Sequence, residues 1–138
     1  MVGRLMYLVD SNVWLELLLE QERADDVRRF FHVIEARYLS LSEFSLYSIG
    51  IILTRLNKDA VFEEFLSDTV EDSGVGRIQL DTNDLKQVLT IRQRFRLDFD
   101  DAYQYVAAEK HNLTLVSFDS DFDRTERGRK TPEALLSG

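Results

Sequence analysis

Short apolar runs alternate along the chain with longer segments in which apolar residues recur at helical spacing. The runs have the length and composition of buried strands, and the first of them extends over Leu5–Val9. They predict three strands, at Met6–Val9, Arg77–Leu80 and Leu113–Ser117. The longer segments predict six helices, at Val13–Glu20, Arg23–Tyr38, Glu43–Leu56, Lys58–Asp72, Asp84–Arg96 and Asp98–Lys110.

The order of these elements predicts an α/β fold. Strands that are separated by helices favour a central, mostly parallel sheet that is flanked by helices on both faces. The 138 residues are enough for one domain with a core of its own, so we expect a single domain over the full length. Asn12, Ser42 and either Thr82 or Asn83 have side chains suited to cap the helices that follow them. The polar tail, residues 126–138, is expected to be irregular or to add a last turn or an edge strand.

The composition narrows the classes of protein that fit. The chain has no cysteine, so disulfides and thiolate metal sites are excluded and a reducing, cytoplasmic location is expected. No apolar stretch is long enough to cross a bilayer, so no membrane partner is expected. The formal net charge is −8, from 25 acidic and 17 basic residues. A phosphate that approaches an acid cluster on such a protein needs a cation between them.

Carboxylates stand at four places near the carboxyl edge of the predicted sheet, where open α/β sheets bind ligands. Asp10 follows the first strand, and Asp119 and Asp121 follow the last. Glu43 and the pair Asp100–Asp101 begin helices. Several carboxylates in one small site need protons or a divalent cation, and oxygen ligands without Cys or clustered His favour Mg²⁺ or Mn²⁺ over Zn²⁺. Such an ion activates water and stabilises the leaving oxygen of a phosphodiester.

Each of these acids, taken alone, also has an ordinary structural explanation. Asp10 alone fits a turn, and Asp121 alone fits a solvated loop. Glu43 or Asp101 alone fits the first turn of a helix, where the helix dipole favours a carboxylate. Only the joint pattern indicates a metal site.

Three segments give the chain a resemblance to a known family. They are YLVDSNVWLE at 7–16, SEF at 42–44 and FDDAYQYVAAEKHNLTLVSFDSDF at 99–122. Together they resemble the PIN domain, whose smallest members include the VapC-type toxins of toxin–antitoxin pairs. The resemblance implies a PIN-like domain with metal-dependent endoribonuclease activity, which hydrolyses RNA phosphodiester bonds and belongs to the toxin of a type II pair. It also implies a cognate antitoxin and a homodimer as partners.

The resemblance assigns roles to individual residues of this sequence. It makes Asp10, Glu43, Asp101 and Asp119 the catalytic, metal-binding acids, and it adds Asp121 to the metal ligands. Asp101 is preferred to Asp100 because Ala102 follows it, as in the Asp-Ala pair of the family, and Asp100 remains an alternative. The supporting residues are Ser11, Asn12, Asp100 and Ser117.

Two further sets of residues are expected to bind partners. Large apolar residues of the early helices exceed the obvious needs of one small core and are expected to line a groove or a dimer face. These are Trp14, Leu17, Leu18, Phe30, Phe31 and Phe44. The candidates for RNA contact are Arg92, Arg96, Arg124 and Arg127, in two basic runs whose alternative is a solvated surface.

Two other functions fit the same acids. One is a flavodoxin-like regulatory module, which also clusters acids around Mg²⁺ but needs a lysine at the end of a late strand. The late strand here ends in Ser117-Phe118-Asp119, and the next lysine is Lys130. The other is a PIN-like binding module with little or no nuclease activity.

Overall fold

Four short parallel strands form one sheet in the order β3-β2-β1-β4. The computed structural model describes residues 6–136, so Leu5 of the first apolar run and the tail residues 137–138 lie outside it. In parallel strands the carboxyl ends meet at the same edge of the sheet. The strands are β1 (Tyr7–Val9), β2 (Leu39–Ser42), β3 (Gly76–Ile78) and β4 (Thr114–Val116).

Strand β2 was not predicted and corrects the expectation of three strands. Its sequence, LSLS, is short and half polar, so it carries a weak strand signal. All four residues are buried, and Leu39 and Ser40 pair with Tyr7 and Leu8 of β1. Burial on both faces is normal for a strand inside a parallel sheet, and here it includes two serines.

The predicted helices are present with shifted bounds. The second ends at Val33 instead of Tyr38, because Ile34 is extended and a 3₁₀ turn (Ala36–Tyr38) leads into β2. The fourth is shorter and continues into a π-helical segment, Leu66–Glu71. The helices are α1 (Ser11–Leu18), α2 (Ala24–Val33), α3 (Glu43–Arg55), α4 (Asp59–Phe65), α5 (Thr82–Phe95), α6 (Phe99–Lys110) and α7 (Pro132–Leu136).

Two helix starts are capped by an aspartate that precedes the predicted cap. Asp10 caps α1, because its side chain accepts from the Ser11 amide, whereas Asn12 lies within the helix. Asp81 caps α5 and forms a capping box with Asp84. In the tail, Lys130 makes a parallel bridge with Val116 before α7 begins, so the tail adds both an edge pairing and a last helix.

The helices cover both faces of the sheet, as predicted. Strand β1 shows this most directly, because Leu8 belongs to the core beneath α5 and α6 while Tyr7 and Val9 belong to the other core. That second core packs α1 to α4 against the sheet and includes Phe30. Within the described part of the chain, no helix is long and apolar enough to cross a membrane.

We expect Phe30→Ala to lower the free energy of unfolding by about 3–5 kcal/mol, because it leaves a cavity in a packed core. Phe30 is fully buried and contacts Tyr7 edge-on, with ring centroids 6.2 Å apart. Val33 on the same helix is 60% exposed, so Val33→Ala should change this energy by no more than about 0.5 kcal/mol. Urea unfolding measures both variants, and equal losses would contradict the assignment of Phe30 to the core.

Candidate metal centre

Strands β1 and β4 bring the first and last acids of the sequence to one edge of the sheet. Val9 pairs with Val116, and the Asp10 amide donates to the Val116 carbonyl at 2.9 Å. Asp10 therefore lies beside the residues that follow β4. Asp119 follows within three residues and caps a 3₁₀ turn (Ser120–Arg124), with its Oδ1 accepting from the Asp121 amide at 2.9 Å.

The hydroxyl of Ser117 links the two strand ends. It donates to Asp10 Oδ2 at 2.7 Å. It accepts from Asn12 Nδ2 at 3.2 Å and from the Asp119 amide at 3.0 Å. A serine hydroxyl has one donor and two acceptor sites, so all of them are used here. Asn12 completes the link, because its Oδ1 accepts from the Phe118 amide at 3.2 Å.

Asp10 is 6% exposed and is held from three sides. Its Oδ1 accepts from the Ser11 amide at 2.8 Å and from Gln104 Nε2 at 2.9 Å, while Oδ2 accepts from Ser117. Burial raises the pKa of the Asp10 carboxyl, the hydrogen bonds lower it in part, and the charge of Asp119 raises it. These contacts fix the carboxyl in one orientation.

Asp101, Asp119 and Asp121 form a close group of acids at this edge. Each offers a carboxylate oxygen, and these oxygens lie within 4.8 Å of one another. Burial raises the pKa of Asp101 to about 8, with further contributions from its contact with Asp119 and from the charges of Asp119, Asp100 and Asp10. Asp98, Asp100 and Asp101 form a second such group, in which Asp98 and Asp100 are exposed. Asp101 belongs to both groups and is the more buried member of its pair with Asp100.

Glu43 lies at the start of α3, and its carboxylate is engaged outside these groups. Its Oε1 accepts from the Tyr47 hydroxyl at 2.5 Å and lies 3.5 Å from Arg77 Nη2. Over residues 6–136, the groups of acids with oxygens within 4.8 Å include neither Glu43 nor Asp10. The structure thus brings Asp101, Asp119 and Asp121 together without Glu43.

The arginines proposed for RNA contact differ in how far the fold engages them. Arg124 donates to the carbonyls of Phe95 and Arg96 at 3.1 and 2.6 Å and to Asp121 at 3.0 Å. Arg127 donates to the Leu113 carbonyl at 3.1 Å and to Asn112 at 3.2 Å. Arg92 lies on α5 and Arg96 directly follows that helix, and both residues are exposed.

Gln104 was missed by the sequence analysis, although it is a buried polar residue that contacts the site. It is 2% exposed, and its Nε2 donates both to Asp10 and to Ser45 Oγ, the latter at 2.5 Å. Its Oε1 is buried and has no partner among the described residues. Gln104 comes three residues after Asp101, on the same face of α6. A polar residue inside the buried run Ala102–Ala108 was the available signal.

The carboxylate oxygens at this edge fit a hard divalent cation. They are oxygen ligands only, as Mg²⁺ and Mn²⁺ prefer. Burial is the main cause of the raised pKa of Asp101, and the charges of the neighbouring acids add repulsion that opposes its ionisation. A divalent cation would relieve the same repulsion without protonation.

The PIN domain family model matches residues 7–128. This chain belongs to the PIN domain family. The match covers all four strands and both ends of the acid site, from Asp10 to Asp121. No curated protein is similar enough in sequence to be counted as a relative.

Solved structures share this PIN fold at low sequence identity. FitAcB from Neisseria gonorrhoeae is similar with a TM-score of 0.73 and 19% identity, over 93% of this chain and 99% of that chain. A toxin–antitoxin complex from Klebsiella pneumoniae is similar with a TM-score of 0.72 and 18% identity, over 91% of this chain and 97% of that chain. VapC20 from Mycobacterium tuberculosis is described as a Sarcin-Ricin loop cleaving toxin. It is similar with a TM-score of 0.72 and 17% identity, over 85% of this chain and 92% of that chain. At these identities the likeness concerns the fold.

We expect Asp101→Asn to stabilise the protein in EDTA, and more so at pH 8 than at pH 5. Because the folded-state pKa of Asp101 is raised to about 8, the folded protein holds this proton more tightly than the unfolded chain. The stability that Asp101 contributes is therefore full below about pH 4 and falls as the pH rises towards 8. Asparagine stays neutral throughout, so the melting temperature at pH 8 should rise by on the order of 5 °C.

The matched control is Asp100→Asn, which removes the same charge from the exposed neighbouring position. Its effect on the melting temperature should be smaller and should change less with pH. Equal responses of the two variants would show that overall charge, and not the packing of Asp101 against Asp119, determines the effect.

Proposed function

We propose that this PIN-domain protein is a metal-dependent endoribonuclease and the toxin of a type II toxin–antitoxin pair. The observation that carries the proposal is the convergence of Asp101, Asp119 and Asp121, with Asp10 fixed beside them, at the carboxyl edge of the sheet. Membership of the PIN family and fold similarity to toxin–antitoxin proteins support it. RNA is proposed as the substrate because one structural neighbour is titled a Sarcin-Ricin loop cleaving toxin.

The proposed ligands of the cation are Asp101, Asp119 and Asp121, joined by Asp10. When bound there, Mg²⁺ or Mn²⁺ would supply charge neutralisation at the phosphodiester and a water of lowered pKa. Oδ1 of Asp10 already accepts two hydrogen bonds, whereas Oδ2 accepts one, from Ser117, and keeps a lone pair for a cation. Glu43 stays in the proposal as a ligand that first has to leave Arg77 and Tyr47.

The residues around the acids have positioning roles in this proposal. Ser117 and Gln104 fix the rotamer of Asp10 by donating to its two oxygens. Asn12 fixes the segment after β4, which carries Asp119, by accepting from the Phe118 amide. Second-sphere donors of this kind orient metal ligands in general.

The second candidate is a PIN-like binding module with little or no nuclease activity. The engagement of Glu43 by Arg77 and Tyr47 favours it, because one of the four predicted catalytic acids is held outside the converging group. The flavodoxin-like alternative does not apply to a member of the PIN family. A direct assay of cleavage separates the two remaining candidates.

We propose that an antitoxin binds the groove beside α1 and α2. There Trp14 stacks on Phe31 with ring centroids 4.5 Å apart, and both line a cavity of about 220 Å³ with Leu17. Of the six residues predicted for interfaces, Phe30 is fully buried and Trp14 is 4% exposed, so their main role is in the core. The half-buried members are Leu17, Leu18, Phe31 and Phe44.

A homodimer is proposed through apolar side chains that the sequence analysis did not select. Tyr47 and Ile51 lie one helical turn apart on α3 and are 56% and 50% exposed. Leu85 and Leu89 repeat this spacing on α5 and are 38% and 52% exposed. Contiguous exposed apolar surface marks contact sites in general, and these two helix faces are the proposed dimer contact.

The purified protein is expected to cut RNA only when Mg²⁺ or Mn²⁺ is present. Without a cation, the phosphodiester would meet the repulsion of the acids on a protein of net charge −8. Asp119→Asn and Asp101→Asn should each lower the rate by about 10²-fold or more. Attack by water predicts 5′-phosphate and 3′-hydroxyl ends, which end-labelling and mass spectrometry of the fragments identify.

The matched control is Asp123→Asn, which removes an acid from the same turn. Asp123 pairs with Arg129 at 3.2 Å and lies outside the converging groups, so the rate should stay within about twofold. Cleavage that persists in excess EDTA, or 2′,3′-cyclic phosphate ends, would contradict the metal mechanism. Metal binding without cleavage of any RNA would favour the binding module.

The proposed dimer is tested by sedimentation. The wild type should sediment as a dimer, and Leu89→Glu should dissociate it because it places a charge in an apolar contact. Leu56→Glu is the control, since Leu56 is similarly exposed at 51% but follows the end of α3. A wild type that sediments as a monomer at high micromolar concentration would refute the proposed dimer.

A further inference from the structure

An RNA chain that reaches this site needs positive charge beside the acids. The protein has a net charge of −8, and three carboxylates converge where the phosphodiester would lie. Arg124 and Arg127, which the sequence analysis proposed for this role, donate to main-chain carbonyls and so hold the fold together. The contact with RNA therefore calls for another basic side chain near the acids.

Arg23 lies at the start of α2 and is held in place without being enclosed. Its guanidinium carbon is 3.7 Å from the ring centroid of Phe118, and its Nε is 3.8 Å from Glu16 Oε2. The Arg23 amide donates to the same Glu16 oxygen at 2.7 Å, and Glu16 is 7% exposed. The side chain of Arg23 is 52% exposed, and no hydrogen bond from its terminal nitrogens is found within residues 6–136.

Phe118 connects this guanidinium to the acid cluster. Its ring packs against the core on the α1 side, and its amide donates to Asn12. The residues on either side of it serve the site, because Ser117 binds Asp10 and Asp119 belongs to the converging acids. Because Phe118 is the chain neighbour of both Ser117 and Asp119, the guanidinium that stacks on its ring lies beside the segment that carries the site.

We propose that Arg23 binds a backbone phosphate of the RNA that flanks the cleaved bond. This inference rests on the proposed ribonuclease function. A guanidinium presents its N–H groups in a planar fork that matches a phosphate, and stacking on an aromatic ring keeps that fork in one plane. The contacts with Phe118 and Glu16 hold the side chain before RNA arrives, so less conformational entropy is lost on binding.

The chain supplies a matched control in Arg37. Its guanidinium carbon lies 4.9 Å from the ring centroid of Tyr38, and its Nε lies 2.7 Å from Glu35 Oε2. The side chain is 68% exposed. Arg37 precedes β2, so it lies at the amino edge of the sheet, opposite the acids. Arg23 and Arg37 thus share charge, stacking and pairing and differ in their distance from the site.

The test measures binding of a fluorescein-labelled, single-stranded RNA of 20 nucleotides and mixed sequence. All variants carry Asp119→Asn to prevent cleavage, and anisotropy is recorded with Mg²⁺ from 50 to 300 mM NaCl. Arg23→Gln should weaken binding about tenfold at the lowest salt and reduce the slope of log K against log salt by about 0.7, one phosphate contact fewer. Arg23→Lys should keep the slope and lower the affinity for RNA about threefold, because lysine retains the charge but lacks the planar fork of the guanidinium. Arg37→Gln should match the parent.

The outcomes separate this inference from the function on which it rests. If the unmutated protein neither binds nor cuts RNA with Mg²⁺, the ribonuclease function fails. If it cuts RNA while Arg23→Gln binds like the parent, or while Arg37→Gln weakens binding equally, only the role of Arg23 is refuted. Melting temperatures within about 2 °C of the parent ensure that a loss of binding does not come from unfolding.

Discussion

The site depends on the hydrogen bond from the Ser117 hydroxyl to the Asp10 carboxylate, 2.7 Å long, which joins the ends of β1 and β4. A carboxylate that is 6% exposed is costly to bury without partners, so its donors determine where it can lie. The same hydroxyl accepts from Asn12 and from the Asp119 amide, which ties the start of α1 and the turn after β4 to one atom. Asp10 also caps α1. One polar cluster therefore sets the position of a strand end, a helix start and an acidic turn.

The fold works against the ionisation of Asp101. Asp101 projects from a buried helix towards Asp119, and burial together with that contact raises its pKa to about 8. Two cores, one on each face of the sheet, provide the stability that offsets the cost of burying this carboxyl. Perturbed pKa values of this kind cluster at functional sites.

The basic tail serves the site indirectly. Arg124 ties the acidic turn to the end of α5 through the carbonyls of Phe95 and Arg96. Arg129 donates to the Ser117 carbonyl, and Lys130 pairs with Val116 at the edge of the sheet. These contacts hold the segment that carries Ser117 and Asp119 from the side away from β1. The sequence made such arginines candidates for RNA contact because charge is visible in a sequence, whereas the internal carbonyls that they bind are not.

The sequence by itself determined the α/β class, the helices on both faces and the acids at the carboxyl edge, because apolar periodicity and strand-end residues are local signals. It did not show β2, since LSLS becomes a strand only when the neighbouring strands and both cores bury its serines. It did not show Gln104, whose two hydrogen bonds reach residues that are 94 and 59 positions away. It also placed Glu43 with the other acids, whereas the tertiary structure pairs it with Arg77 and Tyr47. Which of several acids converge is decided by where helices pack, and packing depends on the whole chain.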